Sequence, residues 1–177
     1  GIMAEIFTLE ALLGALLIFG LRVTDMTLDT LRVLFVMRGR KGLAWVLGFF
    51  QSAVFVIAIT SVLQNLNNPL NIIGYAAGFA TGNVFGMLIE ERLAVGYMDL
   101  RIISSRRGSA IVERLRQEGY AVTEIPARGK DGMVTMLSCS IRRRNVPRVD
   151  RLVRQVDENA FITAEEVRPL GRGFWRA

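Results

Sequence analysis

The chain has 177 residues, with 22 lysines and arginines, 16 aspartates and glutamates, no histidine and one cysteine. The absent histidines remove the commonest general base and zinc ligand, and lone Cys139 excludes an internal disulfide or a cysteine metal cluster. Hydrophobic residues make up 51% and mean hydropathy is +0.36, which excludes a disordered chain and is high for a water-soluble enzyme.

The charge divides unevenly. Residues 1–97 hold six basic and six acidic side chains, whereas residues 98–177 hold sixteen and ten, so the net +6 belongs to the second part. The pattern predicts a transmembrane domain over 1–97 and a soluble, basic domain over 98–177.

The first apolar segment runs from Ile6 to Leu21 and then meets Arg22, Asp25, Asp29 and Arg32 before the apolar stretch Leu34–Met37. A helix over the whole segment would be roughly 48 Å long, more than a bilayer core needs. Ending the span at Leu21 would strand Leu31 to Met37. The favoured reading is therefore a span over about 12–37, leaving the membrane at Arg38-Gly39-Arg40-Lys41. The segment lacks a basic start and a small-residue cleavage site, so it is expected to be a span and not a cleaved leader. The second and third spans, about 43–66 and 70–89, carry no formal charge before Glu90. Asn67-Asn68-Pro69 turns the chain between them.

Arg38, Arg40 and Lys41 lie between the first two spans, and the other loop has no basic residue. The positive-inside rule then predicts an outer N-terminus and a cytoplasmic second domain in a bacterial inner membrane. Trp45 and Tyr97 fall near the predicted inner interface, and Glu90-Glu91-Arg92 is expected to cap the inner end of span three.

Two patterns in the spans bear on function. Gly74, Gly78, Gly82 and Gly86 recur every four residues and make one shallow helix face, suited to close approach of another helix. That helix belongs either to the same subunit or to a second copy. Arg22, Asp25, Asp29 and Arg32 fall within an arc of about 80° on span one. They form either a self-neutralised seam between helices or the wall of a polar pathway. Gln51, Thr60 and Asn83 are uncharged candidates to join it from the other spans.

The second domain reads as alternating short elements. Met98–Ser104 is expected as a strand, Ser109–Glu118 as a helix stopped by Gly119, and Tyr120–Ile125 as a strand. A loop over Pro126–Gly132 precedes the long strand Met133–Ile141, with Met133, Thr135, Leu137, Cys139 and Ile141 on one face. Asn145 is expected to cap a helix carrying Pro147 in its first turn and the stripe Val146, Val149, Leu152, Val153 and Val156. Phe161–Val167 closes the series. The order βαββαβ predicts an α+β ferredoxin-like fold.

Arg142, Arg143, Arg144, Arg148 and Arg151 concentrate basic charge here. They are candidates to face anionic lipid headgroups, or to hold a small anionic ligand through arginine forks. Nucleic acid is not expected as a partner, because the central strands lack stacking aromatics. Cys139 is expected as a small core residue. Glu165 and Glu166, adjacent on a strand, face opposite ways and form no catalytic pair. The tail Gly171-Arg172-Gly173-Phe174-Trp175-Arg176 is expected as a strand extension or a membrane-surface contact. No catalytic constellation, metal cluster or cofactor motif is visible, so no enzyme activity is expected.

The segments Thr27-Leu28-Asp29-Thr30-Leu31-Arg32-Val33, Arg38-Gly39-Arg40-Lys41, Asn68-Pro69-Leu70-Asn71 and Gly74–Asn83 resemble an uncharacterised family of small bacterial three-span membrane proteins. The segment Phe161–Arg168 resembles the C-terminal domain of YitT-type membrane proteins. The resemblance covers most of the chain from about residue 12. It implies an integral inner-membrane protein with a cytosolic ferredoxin-like domain, and it implies no particular activity. Two functions fit. One is an oligomeric protein, joined through its glycine stripe, that moves or senses a small solute under control of its cytosolic domain. The other is a non-transporting scaffold or accessory subunit of a larger membrane complex.

Overall fold

The computed structural model describes residues 1–171, the side chains of Glu5 and Ile6 excepted. The arginine–aromatic tail from Arg172 lies outside the described residues. The chain divides into two compact units, Gly1–Arg92 and Leu93–Ala177.

The first unit holds a short helix α1 (Ile2–Ile6) and three long ones, α2 (Leu9–Met37), α3 (Lys41–Gln64) and α4 (Pro69–Leu93). The last three are each long and apolar enough to cross a membrane. Helix α2 starts three residues earlier than expected, because Thr8 caps it by accepting a hydrogen bond from the Ala11 N–H at 3.3 Å. It then runs unbroken through all four charged residues. It stops at Gly39, whose φ of 70° lies in the left-handed region that favours glycine. There the Arg40 and Gly39 N–H groups bond back to the carbonyls of Phe35 and Val36.

The second unit has the order β1 (Tyr97–Ser104), α5 (Gly108–Gln117), β2 (Thr123–Gly129), β3 (Gly132–Arg142), a 3-10 turn (Arg143–Asn145), α6 (Val146–Val156) and β4 (Phe161–Val167). The sheet order is β2-β3-β1-β4, and all neighbours are antiparallel. This is the ferredoxin-like arrangement. Leu100 and Ile102 of β1 stand opposite Cys139 and Leu137 of β3. They bury one sheet face with Ile111, Leu115, Val149 and Val153 from α5 and α6.

Three expectations in this unit need correction. Tyr120 and Val122 are buried but precede the strand, which begins at Thr123. The cause is the helix stop. Gly119 takes φ 90°, and the Tyr120 N–H bonds back to the Leu115 carbonyl, so Tyr120 belongs to the helix cap and Val122 to the link that follows it. The strand also runs on through Pro126, which was expected as loop. Strand β2 lies at the sheet edge, where a missing N–H costs no ladder bond. Lys130 and Asp131 alone make the hairpin turn. Finally, Asn145 occupies the cap position of α6 without a side-chain cap bond.

Cys139 is fully buried in this core. Burial, and to a lesser extent the Asp99 carboxylate, push its thiol up to about 12. The folded thiol therefore stays neutral while an unfolded one ionises from about pH 9. Its contribution to stability is present below that pH and is lost as pH rises from about 9 to 12. Alkylation by iodoacetamide at pH 8 is expected to be negligible in the folded protein and complete within minutes after denaturation, as mass spectrometry will read directly.

Candidate functional site

The charged face of α2 is the densest polar feature of the first unit. Arg22 donates from Nη1 to Asp25 Oδ2, one helical turn on. Asp25 is fully buried, and Gln51 of α3 donates to its other oxygen at 3.2 Å. The Arg22 guanidinium lies over three rings: Tyr75 at 4.4 Å, Phe79 at 5.3 Å and Phe55 at 5.4 Å from their centroids. Those rings come from α3 and α4, so the pair sits where the three helices meet. Arg22 is only 8% exposed, and its Nε makes no hydrogen bond. The ring faces attract the cation and supply part of what water would.

The second pair is different. Arg32 donates to Asp29 at 2.6 Å, and both side chains keep roughly a third of their surface exposed, at 35% and 28%. Arg32 lines an open groove of about 800 Å³ between α2 and α3, with Trp45, Gly48, Phe49, Gln51 and Ser52. The four charges thus form two neutral pairs, one sealed and one open. Gln51 joins them as expected. Asn83 instead meets Thr30, which stands 3.3 Å from its Oδ1. Thr60 is exposed and donates to its own helix at the Val56 carbonyl, so it takes no part.

The glycine stripe is filled by α2. A Cβ at Gly74 would lie 2.7 Å from the Ala15 carbonyl oxygen, at Gly78 2.7 Å from Arg22 Cβ, at Gly82 2.6 Å from Met26 Cβ, and at Gly86 2.7 Å from Thr30 Cβ. Thr27 also donates to the Gly82 carbonyl at 3.3 Å. Helix α2 therefore fills this groove within one protomer, the first of the two alternatives for the stripe. The same contact pins Arg22 against α4.

Some partners escaped the sequence reading. Glu90, expected as a cap, is buried and pairs with Arg38 at 2.6 Å, tying the end of α2 to the end of α4. The rings around Arg22 carried a faint signal. Tyr75 and Phe79 are four residues apart beside the glycines, and Phe55 follows Gln51 by four, so each pair shares a helix face.

In the second unit the arginines scatter. Arg148 is paired with Glu118 at 2.7 Å. Arg154 donates to the carbonyls of Glu158 and Ala160, which ties α6 to the start of β4. Arg142, Arg144 and Arg151 are exposed, and Arg143 is half-buried in the 3-10 turn. The structure gathers these side chains on the β3–α6 connection and α6 without closing them around one point. Among the described residues no cluster of three or more metal-binding side chains occurs.

Fold and site together define a chain that joins three potential membrane-crossing helices to a ferredoxin-like domain. Residues 30–87 match the Domain of unknown function (DUF5698), and residues 120–169 match the Uncharacterized protein conserved in bacteria (DUF2179). A UPF0316 protein of Syntrophotalea carbinolica is 46% identical over 161 residues, covering 91% of this chain and 83% of the relative. One from Alkaliphilus oremlandii is 38% identical over 167 residues, covering 94% and 97%. The chain belongs to the UPF0316 family. A DUF2179 crystal structure from Eubacterium ventriosum is similar at 27% identity and a TM-score of 0.34, covering 38% of this chain and 97% of that one.

Proposed function

We propose that the protein is a homo-oligomer of the bacterial cell membrane that moves or senses a small solute, with the polar face of α2 as the wall of its pathway. The open Asp29–Arg32 pair is the observation that carries this reading. A charge facing lipid within the apolar span costs at least ~2.5 kcal/mol. Each member of this pair is roughly a third exposed, and Arg32 lines a groove bordered by Gln51 and Ser52. A second subunit or a water-filled cavity over that groove removes the cost. The glycine stripe is occupied, so the subunits meet along α3, whose Trp45, Phe49, Phe50 and Val56 are exposed. The basic loop Arg38–Lys41 favours an outer N-terminus and a cytoplasmic ferredoxin-like domain. That domain, through Arg142, Arg144 and Arg151, meets anionic headgroups or a small anion that regulates the pathway. No enzymatic step is part of this reading.

The test uses the one native cysteine being buried. Ser52→Cys in the groove is expected to form an intersubunit disulfide in native membranes. In proteoliposomes loaded with ion-sensitive dyes, Asp29→Asn is expected to cut flux at least tenfold without loss of folded protein. Flux at the protein-free level for protons, monovalent cations and anions alike would sink the transport reading. A constant stoichiometric foreign partner in the purified material would then favour the scaffold.

A further inference from the structure

The opposite end of the three-helix unit holds a second cavity, of about 610 Å³, between the start of α2 and the α3–α4 turn. Its wall is built from Thr8, Glu10, Gln64, Asn65, Asn67 and Asn71, backed by apolar side chains of α2. The charge inventory is one-sided. Among the described residues lining it, Glu10 is the one charged side chain, and no basic group is present. Glu10 makes no ion pair with a described residue.

Asn71 adds an independent observation. It is 6% exposed, and its Nδ2 donates to the Asn65 carbonyl at 2.9 Å, which fixes the amide. Its Oδ1 is buried with no hydrogen-bond partner. A buried acceptor without a donor is unfavourable, and a ligand that brings an N–H into the cavity relieves it. The volume is that of a small-molecule site and far exceeds one bare metal ion.

We propose that this cavity binds a small organic cation through a protonated primary amine. The ammonium pairs with the Glu10 carboxylate and donates toward Asn71, while the amides of Gln64 and Asn67 bond the rest of a polar ligand. Two sources share this chemistry, a free amine and the ethanolamine headgroup of a phospholipid.

The experiment is calorimetric titration of the purified full-length chain in phosphatidylcholine nanodiscs with ethanolamine, choline and ethylene glycol. Ethanolamine has charge and N–H donors, choline has charge alone, and ethylene glycol has neither charge nor N–H. Ethanolamine is expected to bind at least tenfold more tightly than the other two. Glu10→Gln, at an exposed position that leaves the fold intact, is expected to weaken ethanolamine at least tenfold. Asn67→Ala is expected to weaken it less. Equal binding of ethanolamine and choline, no binding of ethanolamine, or full affinity in Glu10→Gln would overturn the proposal. Repeating the titration in phosphatidylethanolamine nanodiscs separates the sources: lost binding identifies the lipid headgroup as occupant, and retained binding identifies a free amine.

Discussion

Gly82→Leu is expected to prevent α4 from docking on α2, so that the purified variant in detergent loses its cooperative melt and α4 becomes open to protease. A Cβ at Gly82 would lie 2.6 Å from Met26 Cβ and 2.8 Å from the Val23 carbonyl oxygen. Both atoms are held by the α2 backbone, so no side-chain rotation relieves the clash. The helices must separate, and the Thr27 bond to the Gly82 carbonyl goes with them. The milder Gly82→Ala is expected to cost about 1–3 kcal/mol, the range for overpacking a tight interface. Gly20→Ala is the control. That glycine lies on α2 with nothing within 4 Å of an added Cβ. The change is expected to be neutral or to stabilise by up to about 1 kcal/mol through helix propensity. The comparison also decides what the stripe is for. If Gly82→Leu leaves a folded protomer and only dissolves an oligomer, the glycines serve contacts between subunits after all.

The reach of the sequence differs from feature to feature, and the reason is range. The continuity of α2 could be read locally, since the apolar Leu31–Met37 has nowhere else to go and Gly39 supplies the stop. The spacing of Arg22 to Asp25 and of Asp29 to Arg32 already allowed pairing one turn apart. Which pair would be sealed could not be read, because the seal comes from Phe55, Tyr75 and Phe79 on two other helices. The glycine period announced a close helix contact but not its partner, a choice made by how three helices arrange. In the ferredoxin-like unit, β4 matches the expected bounds, whereas β2 shifts because the edge position of Pro126 emerges only with the strand order. The orphan Asn71 oxygen is likewise a product of tertiary packing, although the row of asparagines at 65, 67, 68 and 71 was plain to see.

Asp25→Ala is expected to destabilise the three-helix unit by about 3–5 kcal/mol, the usual penalty for leaving one member of a buried ion pair uncompensated. Arg22 would keep its three rings, but cation–π contacts are worth only about 0.5–2 kcal/mol and do not replace a carboxylate. Gln51 would also lose the acceptor it now holds at 3.2 Å. The double variant Arg22→Met/Asp25→Leu is expected to recover most of that loss in thermal denaturation. A buried pair and an apolar pair of similar volume are close in stability, since the pair must offset its own desolvation. Measuring both single variants and the double variant gives the coupling between the two side chains. The recovered protein then separates structure from function. A stable double variant that still moves solute in proteoliposomes makes Arg22–Asp25 a brace for the bundle, with only the open Asp29–Arg32 pair in the pathway. A stable double variant without flux puts the sealed pair on the path itself, and the rings that close over Arg22 become its gate.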